Sequence, residues 1–105
     1  MNNLTTTNAS LVAATLAAMA HPARIDILRH LSTIDCCCCG DVVEKLDLAQ
    51  STVSQHLKVL VEVGLVRYSP ERQRSRYTVN AEEVARLSRA MTLYLDECTA
   101  AGCCG

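Results

Sequence analysis

The chain has 105 residues and a formal net charge of −1; half of it is hydrophobic, yet it has no tryptophan, no phenylalanine and only three tyrosines. That length holds one small domain with a modest core, and the near-neutral total excludes a uniformly basic nucleic-acid coat. No run of about 18 apolar residues is present to span a membrane, and the opening MNNLTTTNAS lacks the basic-then-apolar order of a secretory signal.

Residues 10–20, SLVAATLAAMA, predict a helix of strong formers carrying Leu11, Leu16 and Met19 among alanines. His21 and Pro22 stop it and start the next, because proline suits a first helical position. Residues 22–31, PARIDILRHL, then place Ile25, Leu28 and Leu31 toward a core. An unbroken row of Cys36, Cys37, Cys38 and Cys39 follows. Residues 40–48, GDVVEKLDL, predict a short helix with Val42, Val43 and Leu46 inward.

A further helix, beginning at Gln50 or Ser51, has Val53, Leu57, Leu60 and Val61 on one apolar face and ends at Gly64, a C-terminal cap. The segments LVRYS and RYTV alternate around the polar turn PERQRS and predict a hairpin with a charged tip, with Val66 and Tyr68 matched to Tyr77 and Val79. Residues 81–99 predict a long last helix with Val84, Leu87, Met91, Tyr94 and Cys98 along one stripe.

Charge is unevenly spread. Residues 50–79 carry Lys58, Arg67, Arg72, Arg74 and Arg76 against only Glu62 and Glu71, whereas both flanks are acidic. A positive island of this kind is the footprint of a phosphate-contacting surface. Two short helices around a tight turn, followed by a basic hairpin, predict a mainly α fold with a small β-hairpin, the winged helix-turn-helix. Such a fold lays its second helix in the major groove and its hairpin on the backbone or minor groove. Gln55 then suits an adenine edge, Gln50, Ser51, Thr52 and Ser54 suit bases or phosphates, and Lys58 suits phosphate. Arg72, Arg74 and Arg76 would supply salt-dependent attraction to the backbone. The plainer reading is a solvated helix face and a hairpin kept soluble by arginines; the combination of elements favours DNA.

The segment LAQSTVSQHLKVLVEVGLVRYSPERQRSRYTV closely resembles the DNA-binding core of the ArsR/SmtB family of metal-responsive repressors. AMAHPARIDILRHL and CCGDVVEKL resemble its second and third helices. The resemblance covers roughly residues 10–99 and implies a single domain over 1–105. In it, 10–20 and 81–100 are dimerisation helices, 41–64 the helix-turn-helix and 65–80 the wing. It further implies a homodimer, paired through the first and last helices, that sits on an imperfectly palindromic double-stranded operator and leaves it when a metal or metalloid binds.

Seven cysteines, an odd number, argue against a disulfide framework, and the lack of an export signal predicts a cytoplasmic location where thiols stay reduced. Trivalent arsenic and antimony prefer three thiolates, whereas zinc and cadmium take four mixed ligands. The preferred inducer site is the tail, Cys103 and Cys104 with a third thiolate from Cys98, from the partner subunit or from a small cytosolic thiol; the row Cys36 to Cys39 is secondary. Plasmid-type arsenic repressors of the family carry Cys-x-Cys at the third helix, and in register those positions are Cys38 and Gly40 here, so the second thiolate is missing. Neighbouring thiols also serve as small buried hydrophobes.

The expected inducer is therefore As(III) or Sb(III), with no organic cofactor. The alternatives are a thiol-redox repressor switched by disulfide or polysulfide formation, or a Cd/Zn-responsive one, although residues 81–99 contain no histidine. His21 suits a cap, and His30 and His56 suit hydrogen bonding. With no Gly-rich phosphate loop, HExxH or nucleophile elbow, an enzyme is not expected.

Overall fold

The computed structural model describes residues 3–33, 39–71 and 75–102. In chain order it contains helices α1 (Asn3–Met19), α2 (Pro22–Thr33), α3 (Cys39–Leu46) and α4 (Gln50–Glu62). An antiparallel hairpin of β1 (Val66–Ser69) and β2 (Arg76–Val79) follows, and α5 (Ala81–Gly102) ends the fold. This is the mainly α architecture with a small hairpin that the sequence predicts. Helix α1 starts earlier than position 10. Thr5, Thr6 and Thr7 are weak helix formers, so propensity conceals its first turns.

The core is a junction of α2, α3, α4 and the root of the hairpin. Ile27, Leu28 and Leu31 from α2 meet Val42 from α3, Val53, Leu57 and Leu60 from α4, and Leu65 and Val66. One expectation is corrected here: Ile25 is exposed and Ile27 is fully buried. Positions 25, 28 and 31 step by three, and on a 3.6-residue helix such a row rotates away from a flat contact. The pair Ile27 and Leu31, four apart, stays on it.

Each boundary has a local cause. Helix α4 ends in a Schellman motif: the Gly64 N–H donates to the Val61 carbonyl at 3.0 Å and the Leu65 N–H to the Leu60 carbonyl at 3.1 Å. Gly64 takes φ +86°, which a side chain would resist. The reversal drops Leu65 and Val66 into the core as β1 begins. In the hairpin Val66 faces Val79 and Tyr68 faces Tyr77, the predicted register. Asn80 then caps α5, its Oδ1 accepting the Glu83 N–H at 3.4 Å.

Helices α1 and α5 are poorly served by this core. Val84 and Leu87 pack against it, but Leu11 is 59%, Leu93 57% and Leu95 56% exposed. A groove of about 220 Å³ runs between the two helices, with Leu11, Val12, Leu65 and Leu87 among its walls. The radius of gyration, 16.1 Å, exceeds the roughly 13 Å of a compact domain of this length. The chain therefore carries apolar helix surface that its own core leaves uncovered. No single helix among the described residues is long and apolar enough to cross a membrane.

Leu57 is fully buried at the junction, so its truncation should leave a cavity there. Leu57→Ala is expected to lower unfolding free energy by about 2–5 kcal/mol, read as a fall in denaturant midpoint at unchanged m-value.

Candidate nucleic-acid interface

Helix α3 closes on a left-handed residue, Asp47 at φ +54°, whose N–H reaches the Val43 carbonyl at 2.9 Å. Aspartate tolerates this conformation better than most side chains. Leu48 packs back onto the core and Ala49 is extended (φ −64°, ψ 146°), so three residues turn the chain into α4. Ala49, at the α4 N-cap, has no side-chain oxygen with which to cap the helix. The first N–H groups of a helix lack intrahelical partners, so an anion is electrostatically favoured at this end.

Around that end the predicted contact residues are brought together. Gln50, Ser51, Thr52, Ser54 and Gln55 line one open depression, and Lys58 is exposed one turn further on. The opposite face is committed to the interior through Val53, His56, Leu57 and Leu60. All six polar positions are thus presented together by a helix held from behind.

The wing is stiffened by its aromatic pair. The Tyr68 and Tyr77 rings lie 5.2 Å apart, and the Tyr68 and Ser75 hydroxyls share a 2.9 Å hydrogen bond. Arg76 is exposed and pairs with Glu71 at 3.2 Å. An exposed pair of this kind contributes about 0–1 kcal/mol, so a phosphate can compete for it. Arg67 Nη2 donates to Asn80 Oδ1 at 3.3 Å and lies 4.0 Å from Glu82. Arg72 and Arg74, expected at the tip, lie outside the described residues.

Behind the helix stands a polar cluster that sequence reasoning only half found. His56 is buried, 8% exposed, and its Nδ1 accepts the Arg24 Nε–H at 3.0 Å. Arg24 Nη1 also donates to the Ala18 carbonyl at 3.0 Å. His21 caps α2, as its position suggests, its Nδ1 accepting the Ala23 N–H at 3.1 Å, and its ring lies 4.6 Å from that of His56. Burial pushes the His56 pKa below its ordinary 6.5, and His21 and Arg24 push the same way. Nothing in the local sequence pattern marks Arg24 for this role.

Of the predicted thiolate ligands, Cys98 is a free, exposed thiol on α5. Cys103 and Cys104, and Cys36, Cys37 and Cys38 of the row, lie outside the described residues, while Cys39 opens α3. No group of three metal-ligating side chains occurs among the described residues.

Comparison with known proteins places these features in context. A helix-turn-helix domain family matches residues 19–69. An arsenical resistance operon repressor of Staphylococcus xylosus is 34% identical over 67 residues, 64% of each chain. The transcriptional activator HlyU of Vibrio cholerae is 36% identical over 77 residues, 73% of this chain and 70% of that protein. The structure of reduced HlyU superposes with a TM-score of 0.69 at 34% identity, over 86% of this chain and 95% of that one. A homodimeric winged helix-turn-helix domain from Mycobacterium bovis, described as possibly ArsR-family, gives 0.70 at 27% identity, over 88% and 84%.

A histidine whose folded pKa is depressed contributes stability that is present above its unfolded pKa and lost as pH falls toward the folded one. Thermal stability should therefore decline as pH drops below 6.5. Between about pH 7.5 and about 5.5 the decline should be smaller in His56→Asn, which cannot titrate at this position.

Proposed function

The chain belongs to the ArsR/SmtB family of helix-turn-helix transcriptional regulators, and on that premise we propose that it is a homodimeric repressor, released from its operator when thiolates of its last helix and tail take up trivalent arsenic or antimony. The family places it among DNA-binding regulators and not among enzymes. The dimer, the sign of regulation and the inducer are our reading.

The observation that carries the inducer is the donor set of the chain's end. Cys98 is an exposed, free thiol on α5, and the vicinal pair Cys103 and Cys104 follows it in the sequence. Three soft donors suit a trivalent metalloid, which would supply a thiophilic centre for three sulfurs, better than they suit zinc. The similarity to an arsenical resistance operon repressor supports the same choice. For the dimer, the support is the exposed leucine surface of α1 and α5 and the homodimeric Mycobacterium bovis relative. A two-fold pair would present two copies of α4 to half-sites about 34 Å apart. DNA and inducer affinities are then linked reciprocally, each lowering the other by the same factor.

A second reading has one observation in its favour: the similar Vibrio cholerae HlyU has been seen specifically in a reduced form. In that reading clustered thiols are oxidised to release DNA, with metalloid having little effect.

Duplexes enriched by the protein from a random pool give the probe, followed by fluorescence anisotropy of the labelled DNA with fully reduced protein. As(III) or Sb(III) should release the duplex at low stoichiometry. The double replacement of Cys103 and Cys104 by Ser should keep DNA affinity and abolish release. Release by oxidant alone would transfer the role to the redox reading, and release surviving the double replacement would remove the tail from it.

The interface itself makes separate demands. Gln55→Ala should cost about 1–3 kcal/mol on the preferred sequence and relax base choice at one position. Lys58→Ala should weaken all sequences alike and lower the salt slope by about one.

A further inference from the structure

We propose that Arg24 is a positioning residue for operator recognition, a bridge that fixes the DNA-reading helix α4 relative to α1 by holding His56 and the Ala18 carbonyl at once. The proposal rests on the dimeric reading above, in which α1 lies at the subunit contact and α4 in the groove.

The geometry has three parts. First, α1 and α2 meet at a sharp angle, 94°, across a break of a few residues. Carbonyls in the last turn of α1 have no partner within their own helix. The Ala20 N–H takes the Ala17 carbonyl and the His21 N–H that of Met19; the Ala18 carbonyl is met by Arg24 Nη1. A cation is favoured there by the helix dipole. Second, the same guanidinium turns its Nε–H to His56 Nδ1, on the buried face of α4. A planar fork can donate in two fixed directions, which a lysine ammonium cannot reproduce. Third, His56 immediately follows Gln55, so a shift of the buried ring moves the groove-facing side chains with it. Palindrome recognition is strict about the separation and rotation of the two reading helices. A link from α1 to α4 is therefore where that separation is set within one subunit.

The bond to Arg24 requires a bare Nδ1, which means neutral His56. The titratable and charged groups acting on the ring are His21 from the α1–α2 junction and Arg24 from α2. Helix α1 between positions 10 and 19 has no titratable side chain to add. Protonation would set an N–H donor against the guanidinium N–H and break the bridge.

The test uses full-length wild type, Arg24→Gln, Arg24→Lys and His56→Asn on three duplexes: the selected palindrome, the palindrome with its half-sites respaced, and one half-site alone. Arg24→Gln and Arg24→Lys should each lose roughly tenfold or more on the palindrome, the worth of a charged hydrogen bond, and discriminate less against the respaced site. Binding to the half-site should change by no more than about twofold. His56→Asn keeps an acceptor near the Nδ1 position, so it should retain palindrome affinity at neutral pH while losing the wild type's weakening as acid titrates the folded ring, whose pKa burial holds below the ordinary value.

Equal losses on palindrome and half-site, an unaltered spacing preference, or variants that fall to monomers would each overturn the positioning role. Should the Arg24 variants not fold, the acid profile of His56→Asn decides: an undiminished weakening overturns the proposal. A wild type that binds no duplex removes the DNA-repressor reading itself, an outcome distinct from normal wild-type binding with indifferent Arg24 variants.

Discussion

A helix that offers one whole side to a ligand can be anchored only from the other, and α4 shows how narrow that anchorage is. Its buried face amounts to Val53, His56, Leu57 and Leu60. Those four meet α2 inside, α3 across the turn and the first residues of the hairpin beyond the Gly64 reversal. The turn at Asp47, the Schellman end and the wing's register all follow from the need to close that one contact. The fully buried part of that contact is built from leucine, isoleucine and valine, with Tyr77 packed at its edge.

Much of this was legible in the sequence because the signals were periodic or conformational. Val53, Leu57 and Leu60 repeat at helical spacing, Gly64 follows the last turn, and Val66 and Tyr68 alternate into a strand. The error at Ile25 has a different origin, since a stepping of three looks helical in a short window and only contact shows which edge of the stripe is covered. The concealed start of α1 reflects weak intrinsic propensity. Of the candidate site, the exposed residues of α4 were readable as a set, because they are what remains once the apolar face is removed.

The Arg24 and His56 pairing was not readable, although a signal for part of it existed. Position 56 lies three residues after Val53 and four before Leu60, on the apolar face. A histidine at such a place needs a hydrogen-bond partner, since an unsatisfied polar group in a core is costly. The sequence announces the need and not the supplier, which comes from 32 residues away. Arg24 looks like an ordinary surface cation on α2 until α1 and α4 converge on it. Long-range polar contacts of this kind depend on tertiary angles, and composition carries no trace of them.

The wing's paired rings have a spectroscopic consequence. The chain has three tyrosines and no tryptophan to take up their excitation, and two of the three, Tyr68 and Tyr77, face each other on the hairpin. Two of its three ultraviolet fluorophores therefore sit at the element expected to touch the DNA backbone. The hydroxyl of Tyr68 is already engaged with Ser75, and the residue is about half exposed to solvent. Docking of the wing would alter both, so the unlabelled protein carries its own optical reporter, local to the hairpin.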